Sequence, residues 1–221
     1  MLIKKGAEAN LYLEPSAKVL YLVAKGKVVV KHRIPKRYRI PEIDKQLRES
    51  RTALESKLFA DAKRAGVPTP LVYEVDPVRM RIVMEFIEGQ QVKLVLEKLR
   101  PAARKKLCEL IGRQVARLHR AGIVHGDLTT SNMILTRNGK VYFVDFGLGE
   151  YNPSVEARGV DLHLLRRALQ SIHFRITDEA YRAVLSGYRR EFGKGAGEVV
   201  RRAEEIERRG RYVAKEDRTW Q

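Results

Sequence analysis

The sequence predicts an α+β fold of two lobes, in which a small antiparallel sheet with one helix precedes a shortened, mainly helical lobe. Short β-branched and apolar runs, separated by Gly, Pro or charged turns, occupy residues 1–86. From Val92 onward, apolar residues recur instead at steps of three and four. We therefore expect an N-terminal lobe over 1–86, a helical lobe over 87–208 and a basic C-terminal tail over 209–221. A cleft between two lobes is a favoured ligand site.

The first lobe is expected to contain five short strands and one helix. The strands are the apolar stretches 11–13, 19–23, 28–30, 71–75 and 82–86. Between the third and fourth stretches, apolar residues at helical spacing run from Pro41 to Ala65, and Gly66 and Pro68 end the pattern. One helix is therefore expected to interrupt the sheet.

The second lobe is expected to begin with a helix after Pro101, which suits a first helical turn. Two short apolar runs, 133–135 and 141–144, flank the dipeptide Asn138-Gly139, and this pattern predicts a β-hairpin. Three further helices are predicted, at residues 159–172, 178–192 and 197–208.

Composition and charge exclude several classes of protein. The chain has 44 Lys and Arg against 27 Asp and Glu, and its net charge of +17 predicts attraction to polyanions such as nucleic acid or nucleotide phosphates. The longest apolar run of the N-terminal half, residues 19–24, is far shorter than the ~20 residues of a membrane span. We expect a cytoplasmic protein with no membrane partner. The one cysteine, Cys108, excludes an internal disulfide and is expected to be buried.

The stretch around His125 contains the most informative chemistry. Asp127 and Asn132 stand five positions apart, and Asp145-Phe146-Gly147 follows at the end of the next strand. Phosphoryl transfer from ATP needs a carboxylate that orients the acceptor, oxygen ligands for Mg²⁺ and cations that neutralise the phosphates. These segments match the protein-kinase signature in type and order. We therefore expect Asp127 to be a catalytic carboxylate, and Asn132 and Asp145 to bind Mg²⁺.

The cation is expected to come from the third strand. Lys31 ends the run Val-Val-Val-Lys, where its ammonium could reach the α- and β-phosphates of ATP, so we count it with Asp127 as catalytic. Glu55 on the predicted helix is our candidate for the partner that holds Lys31 in place. Glu49 and Glu42 on the same helix are competitors.

Two backbone segments are expected to bind the nucleotide. The phosphate-covering loop has one glycine, where the G-x-G-x-x-G pattern has three. Its residues are Gly6, Ala7, Glu8, Ala9 and Asn10. At the junction of the lobes, the backbones of Glu85 and Ile87 could hydrogen-bond the edge of an adenine. Asp161, which the pattern places at a helix start, is expected to hold the backbone of the catalytic loop or to cap that helix.

Four segments together resemble the small atypical kinases of the KEOPS complex. They are the loop 6–9, the helix segment 51–55, the run 125–132 (His-Gly-Asp-Leu-Thr-Thr-Ser-Asn) and the closing Arg-Gly-Arg at 209–211. This resemblance covers nearly the whole chain. It implies a Ser/Thr protein kinase and ATPase that uses ATP and Mg²⁺, and that binds a threonylcarbamoyl transferase and other KEOPS subunits.

The same resemblance implies a role in tRNA modification, in which the adenosine next to the anticodon is threonylcarbamoylated in tRNAs that read codons beginning with A. Contact with tRNA would then use the basic surface, and the acid-free runs 31–39 and 98–106 and the C-terminal tail are candidates. Simple solvated faces are the alternative explanation of these runs.

Three departures from ordinary protein kinases predict slow or partner-dependent catalysis. Gly126 stands where most have an arginine that reads a phosphorylated activation loop. No Ala-Pro-Glu motif follows Asp145. Thr129 occupies the position of a lysine that contacts the transferred phosphoryl group, so one stabilising charge is missing.

Two other functions are considered. The first is another phosphotransferase, either a RIO-type kinase or a small-molecule kinase. An intact Asp145-Phe146-Gly147 argues against the RIO pattern, and the short helical lobe leaves little room for a small-molecule pocket. The second is a non-catalytic scaffold for RNA and a partner protein, which would have no need for Lys31, Asp127, Asn132 and Asp145 together.

Overall fold

The structure, a computed structural model, describes residues 1–6, 8–17 and 26–216, with side chains up to Arg209. The predicted strand 19–23 and Ala7 of the predicted phosphate loop lie outside the described residues. Within the described ranges, the helices include none that is long and apolar enough to cross a membrane.

The N-terminal half is an antiparallel sheet of five strands in the order β1-β2-β3-β5-β4. The strands are β1 (Leu2–Lys5), β2 (Ala9–Pro15), β3 (Lys27–Arg33), β4 (Val72–Asp76) and β5 (Arg81–Glu85). Pairing aligns Leu11, Lys31 and Ile82 across β2, β3 and β5, so these three side chains share one face. The sequence did not predict β1, because all four of its residues are exposed and leave no apolar alternation to detect.

Helix α1 (Pro41–Arg64) crosses this sheet, as the sequence predicts. Pro41 fits the first helical turn, and the helix ends before Gly66, which has a φ of +80°. Leu58, Phe59 and Ala62 are fully buried against the sheet. The inward face of α1 is therefore fixed by apolar packing, and this packing also buries Glu55.

The C-terminal half is mainly helical. Its helices are α2 (Val92–Val95), α3 (Pro101–Arg120), α4 (Val155–Ile172), α5 (Thr177–Phe192) and α6 (Ala196–Glu216). Helices α3 and α5 approach each other closely at two glycines. A Cβ atom at Gly112 or at Gly187 would overlap the backbone of the other helix. The predicted end of the last helix at residue 208 is wrong, since α6 continues to Glu216 through a segment made mostly of good helix formers.

Short strand pairs hold the loops of the helical half side by side. The predicted hairpin is present as β8 (Met133–Leu135) and β9 (Val141–Phe143), with Gly139 at a φ of +77°. Strand β6 (Gln90–Gln91) extends it, and β7 (Ile123–Val124) pairs with β10 (Glu150–Tyr151). The loop between β7 and β8 is thereby placed next to the loop between β9 and β10.

Candidate active site

Lys31 lies at the centre of the candidate site. Its Nζ atom is 2.6 Å from Oε1 of Glu55 and 2.7 Å from Oδ1 of Asp145. Strand β3, helix α1 and the loop after β9 therefore converge on one ammonium group. Of the three glutamates that the sequence left in competition, the structure brings Glu55 to Lys31. Glu49 lies 4.0 Å from Lys45 on the outer face of the helix.

A buried arginine, which the sequence analysis did not single out, completes this cluster. Nη2 of Arg33 is 2.6 Å from Oε2 of Glu55, and Arg33 is only 2% exposed. The N–H of Phe146 also donates to Oε1 of Glu55, at 3.3 Å. Residues two apart on a strand point to the same face. The spacing of Lys31 and Arg33 on β3 was therefore the sequence feature that could have identified Arg33 as part of the site.

The charges in this cluster stabilise one another. Burial alone lowers the pKa of Lys31, but the carboxylates of Glu55 and Asp145 outweigh burial, and the pKa lies above its ordinary value. Burial alone raises the pKa of Asp145, whereas the Lys31 ammonium and the Gly147 N–H lower it to about 2. Lys31 is therefore a cation and Asp145 an anion across the physiological range.

Asn132 and Asp145 present oxygen atoms that fit a magnesium ion. Nδ2 of Asn132 donates to the carbonyl and to Oδ2 of Asp127, at 3.0 and 2.8 Å, and this fixes the amide. In the described residues, neither Oδ1 of Asn132 nor Oδ2 of Asp145 accepts a protein hydrogen bond. A cluster of three or more His, Cys, Asp or Glu is absent from the same residues, so phosphate oxygens and water would have to supply the remaining ligands.

Asp161 holds the backbone of the loop that contains Asp127. Its carboxylate accepts the N–H groups of His125 and Gly126, at 2.6 and 2.8 Å, and contacts Nε2 of His119 at 3.3 Å. The predicted location at a helix start is wrong, because α4 begins at Val155 with Ser154 as its N-cap. Asp161 therefore stabilises the loop from inside the helix.

The loop that is expected to cover the phosphates is stabilised by ion pairs as well as by a backbone turn at Gly6. The N–H of Gly6 donates to the carbonyl of Ala9 at 3.0 Å, and a Cβ atom at Gly6 would lie 2.8 Å from that oxygen. Glu8 is paired with Arg39 at 3.4 Å and with Arg51 of helix α1 at 3.1 Å. The pair with Arg51 links the loop to helix α1, which also bears Glu55.

Asn10 lies on the other face of the sheet from the site. It pairs with His32, in the row next to that of Leu11 and Lys31, and its side chain donates to the hydroxyl of Tyr12 at 3.3 Å. Alternation along β2 therefore directs Asn10 away from the cavity. Its expected contact with the nucleotide is not supported by this geometry.

Two cavities form one continuous cleft. A cavity of about 250 Å³ is lined by Gly6, Lys31, Arg33 and Asp127, and one of about 460 Å³ lies beside it. Residues that line both cavities join them. They are Lys4, Leu11, Asn132 and Asp145.

The larger cavity is bordered by the junction segment expected to bind adenine. Met84, Phe86 and Ile87 line it. The N–H of Glu85 is already used by the carbonyl of Leu71, at 2.8 Å. Ile87 has no backbone hydrogen bond in the described part of the chain, so its N–H stays available to a ligand.

Known proteins resemble this chain in sequence. The family model described as RIO domain matches residues 27–153. The KEOPS complex subunit Bud32 of Pyrococcus abyssi is 53% identical over 99% of this chain and 98% of its own. A probable serine/threonine-protein kinase BUD32 homolog of Archaeoglobus fulgidus is 46% identical over 92% of this chain and 96% of its own length. A probable bifunctional tRNA threonylcarbamoyladenosine biosynthesis protein of Methanobrevibacter smithii is 44% identical over 96% of this chain, which covers 37% of that relative.

A solved structure supports the fold. The Rio2 kinase from Chaetomium thermophilum, in an ADP/Mg²⁺-phosphoaspartate complex, matches with a TM-score of 0.62 over 94% of this chain and 70% of that chain, at 15% identity. The predicted kinase-like α+β fold is confirmed. The argument that Asp145-Phe146-Gly147 weighs against a RIO pattern is wrong, because the RIO domain match spans this tripeptide. Metal-binding carboxylates recur in different classes of ATP-dependent phosphotransferase, so an aspartate at position 145 does not discriminate between them.

Proposed function

The chain belongs to the RIO-domain family and to the family of KEOPS complex subunit Bud32, and from that premise we propose that it is an ATP-dependent Ser/Thr protein kinase and ATPase. It acts as the kinase subunit of a KEOPS complex. There it supports threonylcarbamoylation of the adenosine next to the anticodon in tRNAs that read codons beginning with A. Such a role places the protein in the cytoplasm with its tRNA substrates.

One observation carries this proposal: Lys31, Asp127, Asn132 and Asp145, which are far apart in sequence, line a single cavity. A cation, a carboxylate beside it and two oxygen ligands are the groups that phosphoryl transfer from ATP requires. The buried contacts of Glu55 hold Lys31 in position before any ligand binds. The ion pair of Lys31 and Glu55 is costly to bury without a function, since both charges have to be removed from water.

Each residue has a chemical role in the proposed reaction. Lys31 binds the α- and β-phosphates of ATP, and Asn132 and Asp145 provide the oxygens that hold Mg²⁺, which when bound offsets phosphate charge. The γ-phosphoryl group leaves the β-phosphate oxygen of ADP and bonds to the hydroxyl oxygen of a Ser or Thr, or to that of water. Asp127 accepts the hydroxyl proton. Its Oδ2 atom already accepts a hydrogen bond from Asn132, so Oδ1 is the atom left to take this proton.

The proposed nucleotide contacts follow the cleft. The loop from Gly6 to Ala9 covers the phosphates, and the backbone at Ile87, with the Glu85 carbonyl, binds the adenine edge. Thr129 leaves the site without one cation that ordinary protein kinases have. Activity is therefore expected to depend on the partner transferase and on tRNA.

The test measures ATP hydrolysis and phosphate incorporation by the purified chain alone, with a threonylcarbamoyl transferase partner, and with that partner and tRNA. Wild type is compared with Asp127→Asn and with Asp178→Asn, in which an exposed aspartate outside the site is changed in the same way. We expect stimulation by the complex, loss in Asp127→Asn and no change in Asp178→Asn. Equal rates in all three proteins contradict the proposal, and full tRNA modification by a complex containing Asp127→Asn supports a scaffold instead.

A further inference from the structure

Strand β1 brings a cation to the cleft that the mechanism above does not use. Lys4 lines both cavities, next to the region of the phosphates and next to the region of the adenine. In residues 1–6, 8–17 and 26–216, its ammonium has no ion-pair partner, whereas Lys31 and Arg33 are both paired with Glu55. Lys4 therefore keeps its charge available for a ligand.

A β-bulge brings Lys4 to the cleft beside Ile3, which also lines the larger cavity. Leu2 pairs with Tyr12, but Lys4 pairs with Leu11, so Ile3 is an extra residue in β1. Without the bulge, Ile3 would stand opposite Leu11 and Lys4 would point to the other face of the sheet. Bulges beside active sites commonly redirect a side chain in this way.

Strand pairing places Lys4 and Lys31 on the same face. Leu11 pairs with Lys4 on one side and with Lys31 on the other, so the three residues form one row across β1, β2 and β3. Adjacent strands are about 4.8 Å apart, so the backbones of the two lysines are separated by roughly 10 Å. Two long, flexible lysine side chains can approach one triphosphate from positions at this separation. Lys5 pairs with Asn10, in the row on the opposite face.

The proposed ATP site offers little unpaired positive charge to the phosphates. A nucleotide triphosphate is a polyanion, and the residue at 129 is a threonine that offers no cation. Lys31 is bonded to two carboxylates, Glu55 and Asp145, which reduce the net positive charge that it offers to phosphates. A second, unpaired ammonium at the same cavity would restore attraction for the phosphate groups.

We propose that Lys4 binds the phosphate groups of the nucleotide, so that β1 contributes to nucleotide affinity together with β3. This proposal rests on the proposed function, because it assumes that the cleft holds ATP. Phosphate is favoured over adenine as the contact, since an ammonium is attracted to an anion and gains little from an uncharged base.

The experiment measures dissociation constants for Mg²⁺-ATP, Mg²⁺-ADP and adenosine by calorimetry, with adenosine measured in competition. Lys4→Gln removes the charge and keeps a long polar side chain, and Lys4→Arg retains the charge. Lys5→Gln is the matched control, because it makes the same change one residue away on the opposite face. Thermal midpoints of all four proteins show whether a variant has lost its fold.

We expect Lys4→Gln to weaken binding of ATP by about tenfold, the usual size for one charge-assisted contact. Adenosine binding should be unchanged, Lys4→Arg should stay close to wild type, and Lys5→Gln should match wild type. Raising the salt concentration should narrow the difference between Lys4→Gln and wild type, because exposed charges are screened.

Two results would overturn the assignment of Lys4. One is an affinity for ATP in Lys4→Gln equal to that in Lys5→Gln, and the other is an equal loss for ATP and adenosine. In either case, the proposed function would not be contradicted as long as the wild-type protein binds ATP. Failure of the wild-type protein to bind ATP would instead contradict the proposed function, and the role of Lys4 with it.

Discussion

The carbonyl oxygen of Leu148 occupies the space in which a side chain at Gly126 would begin. Gly126 also has a φ of +75°, a conformation that residues with a Cβ atom rarely adopt. The arginine that most protein kinases have at this position is therefore excluded by the backbone of the neighbouring loop. This departure from ordinary kinases is a steric property of the fold, and it removes the usual receptor for a phosphorylated activation loop.

Gly126→Ala should strongly destabilise the protein. The left-handed backbone costs about 1–2 kcal/mol for a residue with a Cβ atom, and overlap with the Leu148 carbonyl should bring the total to about 3 kcal/mol. Chemical denaturation measures this change in the free energy of unfolding. Gly122→Ala is the control, because Gly122 has a φ of +73° with open space around it. An equal decrease in the free energy of unfolding in the two variants would contradict this prediction, because it would show that the overlap with Leu148 adds no destabilisation.

Glu55→Gln should lower kcat/KM for ATP by roughly 10- to 100-fold. The neutral amide would leave Lys31 and Arg33 without their shared anion, and Lys31 would lose its fixed position. Steady-state ATP hydrolysis in the presence of the partner transferase measures the effect. Glu49→Gln, on the exposed face of the same helix, should behave as wild type, since its ion pair with Lys45 is worth little. A similar loss of kcat/KM in both variants would show that the substitutions act through helix α1 in general and not through the contact between Glu55 and Lys31.

Asp145 should remain ionised in mild acid. Its pKa in the folded protein is about 2, below the ordinary 3.8. A carboxylate with a lowered pKa contributes stability above its unfolded pKa, and this contribution is lost as the pH falls from about 4 toward 2. Carboxyl NMR titration measures the pKa directly. Lys31→Met should raise it, because burial without the cation favours the neutral acid. An Asp145 pKa near 4 in wild type would contradict the ion pair.

The Cys108 thiol should be unreactive in the folded protein. Burial, with a smaller effect of Glu179, raises its pKa to about 12, and the residue is 1% exposed. At pH 8 almost none of it is the reactive thiolate. A thiol reagent such as dithionitrobenzoate should therefore label the native chain only as it unfolds, and label one thiol per chain at once in denaturant. Rapid labelling of the native protein would place Cys108 at the surface.

Local patterns in the sequence determined the elements and the chemistry of the candidate site. Helix α1 was predictable because its apolar residues repeat at helical spacing and Gly66 ends it. The hairpin of β8 and β9 was predictable because Asn138-Gly139 favours its turn. Residue type and order predicted that Asp127, Asn132 and Asp145 act together, because phosphoryl transfer makes fixed chemical demands, and the three residues line one cavity.

Only the tertiary structure decided which residues meet. The sequence favoured Glu55 as the partner of Lys31 but left Glu49 and Glu42 in competition, because the side of α1 that is buried depends on packing against the sheet. Arg33 and Lys4 were not recognised, since an inward-facing cation looks like any other lysine or arginine until strand register assigns its face. The bulge at Ile3 and the carbonyl that excludes a side chain at Gly126 arise from contacts between distant segments. Such contacts are set by three-dimensional packing, which a local pattern of residues does not contain.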